Sequence, residues 1–138
     1  PRRAGARLVK VLDSSYVADF LRGRDAAREY RAAHPAERFA LPAVGYYELS
    51  TGALKTGRDP STLSTTLPWL DRLAFTQEHA LEAARVRREL EADGERIQHP
   101  DMLLAGVARS IGVPVVTADG DFERVEGLDV ENYREASG

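Results

Sequence analysis

Apolar positions recur along this chain with two different periods. Short runs bounded by turn residues, RLVKVLD (7–13), RFALPAV (38–44), RLAFT (72–76), VPVVTAD (113–119) and GLDVENY (127–133), read as strands. The segments between them carry helical spacing, seen first at Tyr16, Val17, Phe20 and Leu21 in SSYVADFLRG and then in DAAREYRAAH, GYYELSTGAL, QEHALEAARVRRELEADG and HPDMLLAGVARSIG. Gly23, Gly94 and Gly112 close three of these helices, and Pro100 stands in the first turn of one. After the turn TGRDPS, the spacing of Leu63, Leu67 and Leu70 predicts a further short helix, and DFERV a helical turn. Strands that alternate with helices predict an α/β domain whose parallel sheet is covered on both faces.

A sheet of that kind carries its functional groups at the carboxyl ends of its strands. Asp13 follows the first strand, Glu48 lies in the first turns of the helix after the second, and Asp119 follows VPVVT, so all three fall on one edge. Asp101 opens the helix that leads into the fourth strand. Each acid also has an ordinary structural explanation. Asp13 is placed to cap a helix, Asp101 to favour the helix dipole, and Asp119 and Asp121 to shape a turn. Glu48 is harder to explain that way, because YYELSTGAL sets it between an aromatic and an apolar residue.

Composition narrows the chemistry. The 138 residues, 43% hydrophobic, suit a single domain spanning 1–138 with its own core. No window approaches the roughly 18 consecutive apolar residues of a membrane span, and PRRAGARLVK lacks a signal-peptide run, so a soluble cytoplasmic protein is expected. With no cysteine, thiol nucleophiles, disulfides and Cys-based zinc sites are excluded. The net charge of −3 gives no general support for a nucleic-acid partner. The cations are nearly all arginine, Lys10 and Lys55 being the exceptions; arginine forks suit phosphate, although exposed ones such as Arg22, Arg24, Arg28 and Arg31 equally solvate a helix face.

The order and spacing of four stretches, VLDSSYVADFLRG, LPAVGYYELSTGA, IQHPDMLLAGVARSIGVPVVTADGDF and ERVEGLDVENY, resemble those of PIN-domain ribonucleases of the VapC type, the toxin half of a toxin–antitoxin pair. The resemblance covers about residues 8–133. It implies a three-layer sandwich around a five-stranded parallel sheet in the order 3-2-1-4-5, cleavage of RNA phosphodiester bonds dependent on Mg²⁺ or Mn²⁺, a cognate antitoxin and a homodimer. It also implies Asp13, Glu48, Asp101 and an acid of TADGDF as metal-site residues, supported by Ser14 and Thr117. The fourth acid is Asp119 or Asp121, and Asp119, nearer the strand end, is favoured. Several carboxylates in one place repel until a cation joins them, and an all-oxygen set suits Mg²⁺ or Mn²⁺. On that logic Asp13 and Asp101 are the nearest ligands, with Glu48 and Asp119 acting through water or on a second ion.

Other chemistries fit less well. A phosphohydrolase of the haloacid-dehalogenase type needs a second aspartate two residues after the first, where Ser15 stands. A receiver domain needs a lysine near a late strand, and neither lysine is there. There is no GxSxG elbow, and His34, His79 and His99 form no HExxH, so capping or solvent-facing roles are expected of them. The remaining rival is a catalytically weak PIN-like module that binds protein or nucleic acid.

Overall fold

A computed structural model describes residues 9–63 and 67–136. Its elements in chain order are β1 (Val9–Leu12), α1 (Ser14–Leu21), α2 (Asp25–Ala33), β2 (Arg38–Pro42), α3 (Ala43–Lys55), a 3₁₀ turn (Pro60–Thr62), β3 (Leu70–Leu73), α4 (Gln77–Ala92), α5 (His99–Ile111), β4 (Val115–Thr117), a second 3₁₀ turn (Gly120–Arg124), β5 (Val130–Asn132) and α6 (Tyr133–Ala136). The five strands form one parallel sheet in the order β3-β2-β1-β4-β5, the order the resemblance implies.

Alternation along the strands sends side chains into two cores. Val11 and Val115 face Val86 and Leu90 of α4 and Val107 of α5. Leu12 and Val116 face the other layer, where Tyr16, Tyr30, Phe39 and Tyr133 meet. Tyr16 and Tyr133 pack edge to face, with ring centroids 4.8 Å apart.

Two glycines set the helices that carry acids. A Cβ on Gly106 would stand 2.6 Å from the backbone and Cβ of Ala83, so only glycine lets α5 lie this close to α4. A Cβ on Gly45 would stand 2.6 Å from Leu41 Cδ1, which makes α3 similarly close to the strand it follows.

The strands are shorter than the apolar runs, and the departures that matter most are at the two edge strands. β3 begins at Leu70, a residue the pattern assigns to a short helix, and ends at Leu73 rather than at Thr76. Pairing decides this: β3 runs from Phe39↔Leu70 to Leu73↔Pro42, and β2 stops at Pro42, so Ala74–Thr76 has no strand to continue on. Thr76 instead caps α4, accepting from the His79 backbone while the His79 ring accepts from the Thr76 N–H, the capping role expected of a histidine. The rest of that short helix falls partly on 64–66, outside the described residues, as do residues 7 and 8 of the first predicted strand.

At the other end of the sheet β5 stops at Asn132, and Tyr133 opens α6 rather than closing the strand. The Asn132 side chain accepts from the backbone N–H groups of Arg134 and Glu135, at 3.0 and 3.3 Å. The turn carries the Tyr133 ring into the core and its hydroxyl to Asp19 Oδ2 at 2.6 Å. Arg28 and Arg31 do more than solvate α2, since they stack over Phe20 and Trp69 at 4.3 and 4.9 Å. No helix among the described residues is long and apolar enough to cross a membrane.

Candidate metal centre

Asp13 occupies the N-cap position of α1 with extended backbone, yet its side chain caps nothing. Sheet register explains what it does instead. Leu12 pairs with Val116, so the next residues along, Asp13 and Thr117, meet at the carboxyl edge. Thr117 Oγ1 donates to Asp13 Oδ2 at 2.8 Å from a fully buried position, and Ser15 Oγ donates to the same oxygen at 2.8 Å. Oδ1 accepts from no described residue. The capping explanation of Asp13 therefore fails, and neither Ser14 nor Ser15 takes the cap over. Ser14 turns to α3 and donates to Glu48 Oε1 at 3.0 Å.

Asp119 behaves differently. It caps the 3₁₀ turn that follows β4, its Oδ1 accepting from the Asp121 N–H at 2.9 Å, and its own N–H donates to Thr117 Oγ1 at 3.0 Å. Thr117 thus ties β1 and the turn after β4 together. The turn role read for Asp119 is real, and it coexists with a place at the acid edge.

Asp101 sits in the first turn of α5. Burial first, then the charges of Asp13, Asp119, Glu48 and Asp121, push its carboxyl up to about 7. Glu48 is also raised, mainly by burial, with the Ser14 hydrogen bond opposing and the Asp13 charge adding. The four other candidate acids therefore act on the Asp101 carboxyl, and no lysine or arginine forms an ion pair with Asp13, Glu48, Asp101 or Asp119 among the described residues. Asp121 differs: Arg124 Nη2 lies 3.5 Å from its Oδ1.

The acids converge without closing. Among the described residues no three His, Cys, Asp or Glu side chains are already grouped around one ion position. Hydroxyls hold Asp13 and Glu48. The donors still fit a hard divalent ion, because Mg²⁺ keeps most of its water and takes one or two carboxylates. The raised Asp101 carboxyl agrees with that fit, because both burial and the neighbouring acids disfavour its charge until a cation is near.

Two participants were missed in the sequence. Ser15 lies in the DSS triplet, where a hydroxyl two residues past the aspartate was the available signal. Arg124 carried none, since only folding places it between Asp121 and Glu95.

The PIN domain family profile matches residues 10–128. Two curated relatives, both called tRNA(fMet)-specific endonuclease VapC, match over 100 residues, 70% of this chain and 76% of their own length: 28% identical in Salmonella typhimurium and 30% in Shigella flexneri. Among solved structures, VapBC2 from Rickettsia felis, bound to a DNA fragment from its promoter, superposes with a TM-score of 0.80 over 91% of this chain and 98% of that one, at 23% identity. A likeness that distant speaks for the fold, which agrees in strand order with the sheet described above. Profile, relatives and fold together place this chain in the PIN-domain family, among VapC-type proteins.

Proposed function

We propose that this chain is a divalent-metal-dependent endoribonuclease, a VapC-type toxin that acts as a homodimer and is held silent by a cognate antitoxin. The observation that carries the reading is the gathering of acids at one sheet edge, Asp13 held by Thr117 and Ser15 and Glu48 by Ser14, where burial and the other four acids push the Asp101 carboxyl up to about 7. The VapC endonuclease relatives and the VapBC complex support it.

In this reading Asp13 and Asp101 hold Mg²⁺ or Mn²⁺, Glu48 and Asp119 act through water, and Asp121 is the alternative fourth acid. When bound, the ion neutralises charge on the phosphate and makes a coordinated water more acidic. The protein's own groups do the rest. Thr117 and Ser15 fix Asp13 through Oδ2 and leave Oδ1 its lone pairs. Glu48, partly desolvated and steadied by Ser14, is suited to accept a proton from the attacking water. An antitoxin arginine is the natural inhibitor, since its guanidinium satisfies carboxylates in place of the ion.

The test is cleavage of bulk RNA by the purified chain in Mn²⁺, compared with Asp101→Asn. Cleavage that depends on both metal and Asp101 is the expected result. A folded wild type that cleaves no RNA would replace this reading with that of a PIN-like binding module.

A further inference from the structure

An acidic chain that takes RNA needs cations beside its acid edge, because phosphate affinity comes mainly from Lys and Arg. A cleft of about 650 Å³ opens between the end of α4 and the start of α5, the helix that carries Asp101. Its lining has two characters. Leu90, Ile97 and Met102 make a buried apolar floor, and Arg96, Gln98 and His99 stand exposed at the rim. That volume lies in the roughly 300–1,000 Å³ range of small-ligand sites. A nucleotide offers matching surfaces, an apolar base face and an anionic phosphate.

The cleft is lined by two arginines and two acids, and of these four only Arg96 has no ion-pair partner among the described residues. Its two acids are engaged, Glu91 by Arg87 at 3.0 Å within α4 and Glu95 by Arg124 at 3.5 Å. The Arg96 guanidinium pairs with no described residue, whereas its carbonyl accepts from Arg124 Nη1 at 3.0 Å. Arg124 also reaches Asp121. A single guanidinium thus spans the interval from the acid edge to the rim of the cleft. Arg109, by contrast, is committed to the fold, paired with Glu82 and Glu89 at 2.6 and 2.7 Å.

We infer that this cleft holds the RNA strand next to the scissile phosphate, with Arg96 on a backbone phosphate and His99 and Gln98 on the adjoining base or ribose. The inference rests on the ribonuclease reading of the acids. It explains how a chain of net charge −3 takes a polyanion: the cation is local, on the flank of the acid edge.

Fluorescence anisotropy with a fluorescein-labelled single-stranded RNA of mixed sequence tests it, on Asp101→Asn protein in Mn²⁺ across a salt series, with cleavage of bulk RNA measured in parallel. Arg96→Glu is expected to weaken binding about tenfold and to reduce the salt slope by about 0.7, one single-strand phosphate contact. Arg96→Lys, which keeps the charge and loses the fork, should fall between. In the cleaving protein Arg96→Glu should raise KM and leave kcat nearly unchanged, as expected of binding that is uniform along the reaction. Arg96→Gln serves where melting shows that Glu disturbs the turn. Unchanged affinity and slope in a folded Arg96 variant, with the wild type cleaving RNA, would overturn the inference and leave the enzyme reading intact. A wild type that cleaves nothing, while Arg96→Glu still loses RNA, would keep the cleft and remove the enzyme. If the same variant holds RNA normally but loses a copurifying protein, the cleft belongs to that protein and the inference fails.

Discussion

Lys10 on β1 and Asp13 just past its end are both charged and both buried, at 5% and 6% exposure, and their surroundings are opposite. Around Lys10 Nζ the fold places Glu37 at 2.5 Å, Glu131 at 2.9 Å and the Tyr30 hydroxyl at 3.2 Å. Burial works to raise Glu131, yet the hydrogen bonds from Tyr30 and Lys10 and the Lys10 charge together hold it below the usual carboxylate range. Around Asp13 the fold places more acids, and Asp101 is pushed up to about 7. One end of a single strand is an electrostatic network complete in itself. The other gathers Asp13, Glu48, Asp101 and Asp119 with no lysine or arginine paired to them among the described residues. Buried charge with a counter-charge serves the fold, and the proposed metal goes to the end that lacks one.

The largest effect that sharpens this contrast is on activity. Asp13→Asn and Asp101→Asn each remove a negative charge without changing size, and each should lower metal-dependent RNA cleavage about a thousandfold, near 4 kcal/mol of barrier. Single-turnover cleavage in saturating Mn²⁺ measures it, and wild-type rates would erase the distinction between the two ends. In the same assay Asp119→Asn should be more damaging than Asp121→Asn, because Asp121 is already paired with Arg124.

Metal should stabilise the fold through the acid end alone. Binding to the folded state adds about 2.7 kcal/mol at a metal concentration of roughly 100 Kd. Melting in EDTA against excess Mn²⁺ reads this. The rise should shrink in Asp13→Asn and persist in Lys10→Met.

Lys10→Met breaks the paired end. Stripping one partner from a fully buried pair costs about 3–5 kcal/mol. Because the Glu131 side chain is 35% exposed, solvent relieves part of that, and a loss of about 2 kcal/mol in urea unfolding is expected. A loss as small as that of a surface substitution would mean that the network contributes little.

The smallest effect is the most diagnostic. Asp101 binds its proton more tightly folded than unfolded, so the metal-free protein should lose stability as pH rises from about 4 through about 7. Glu131 has the opposite sign. Its contribution is present at neutral pH and fades as pH falls through its lowered pKa. Asp101→Asn should flatten the decline and raise the metal-free Tm by a few degrees. An unchanged pH profile in that variant would mean that the acids do not act on Asp101.

Much of this molecule was decided by sequence. Period, run length and the bounding turn residues distinguished most strands from helices, because a strand buried on both faces and an amphipathic helix demand different spacing. That alternation, in turn, requires a parallel sheet with its site at the carboxyl edge. Asp13, Glu48, Asp101 and Asp119 stood out as candidates because each lies at a strand end or in the first turns of a helix, places that local spacing marks. What spacing did not mark is pairing between distant segments. The end of β3 depended on Pro42 ending its partner strand, and the end of β5 on Asn132 turning to cap α6. Whether Asp13 caps a helix or joins other acids was undecidable locally, since both uses place the same residue before the same turn. The register that sets it beside Thr117 chose between them. Lys10 and Arg124 show the same limit: a charge has meaning only through its partners, and Glu37 and Glu131 lie 27 and 121 residues from Lys10 and Glu95 lies 29 from Arg124, distances along the chain that only the fold closes.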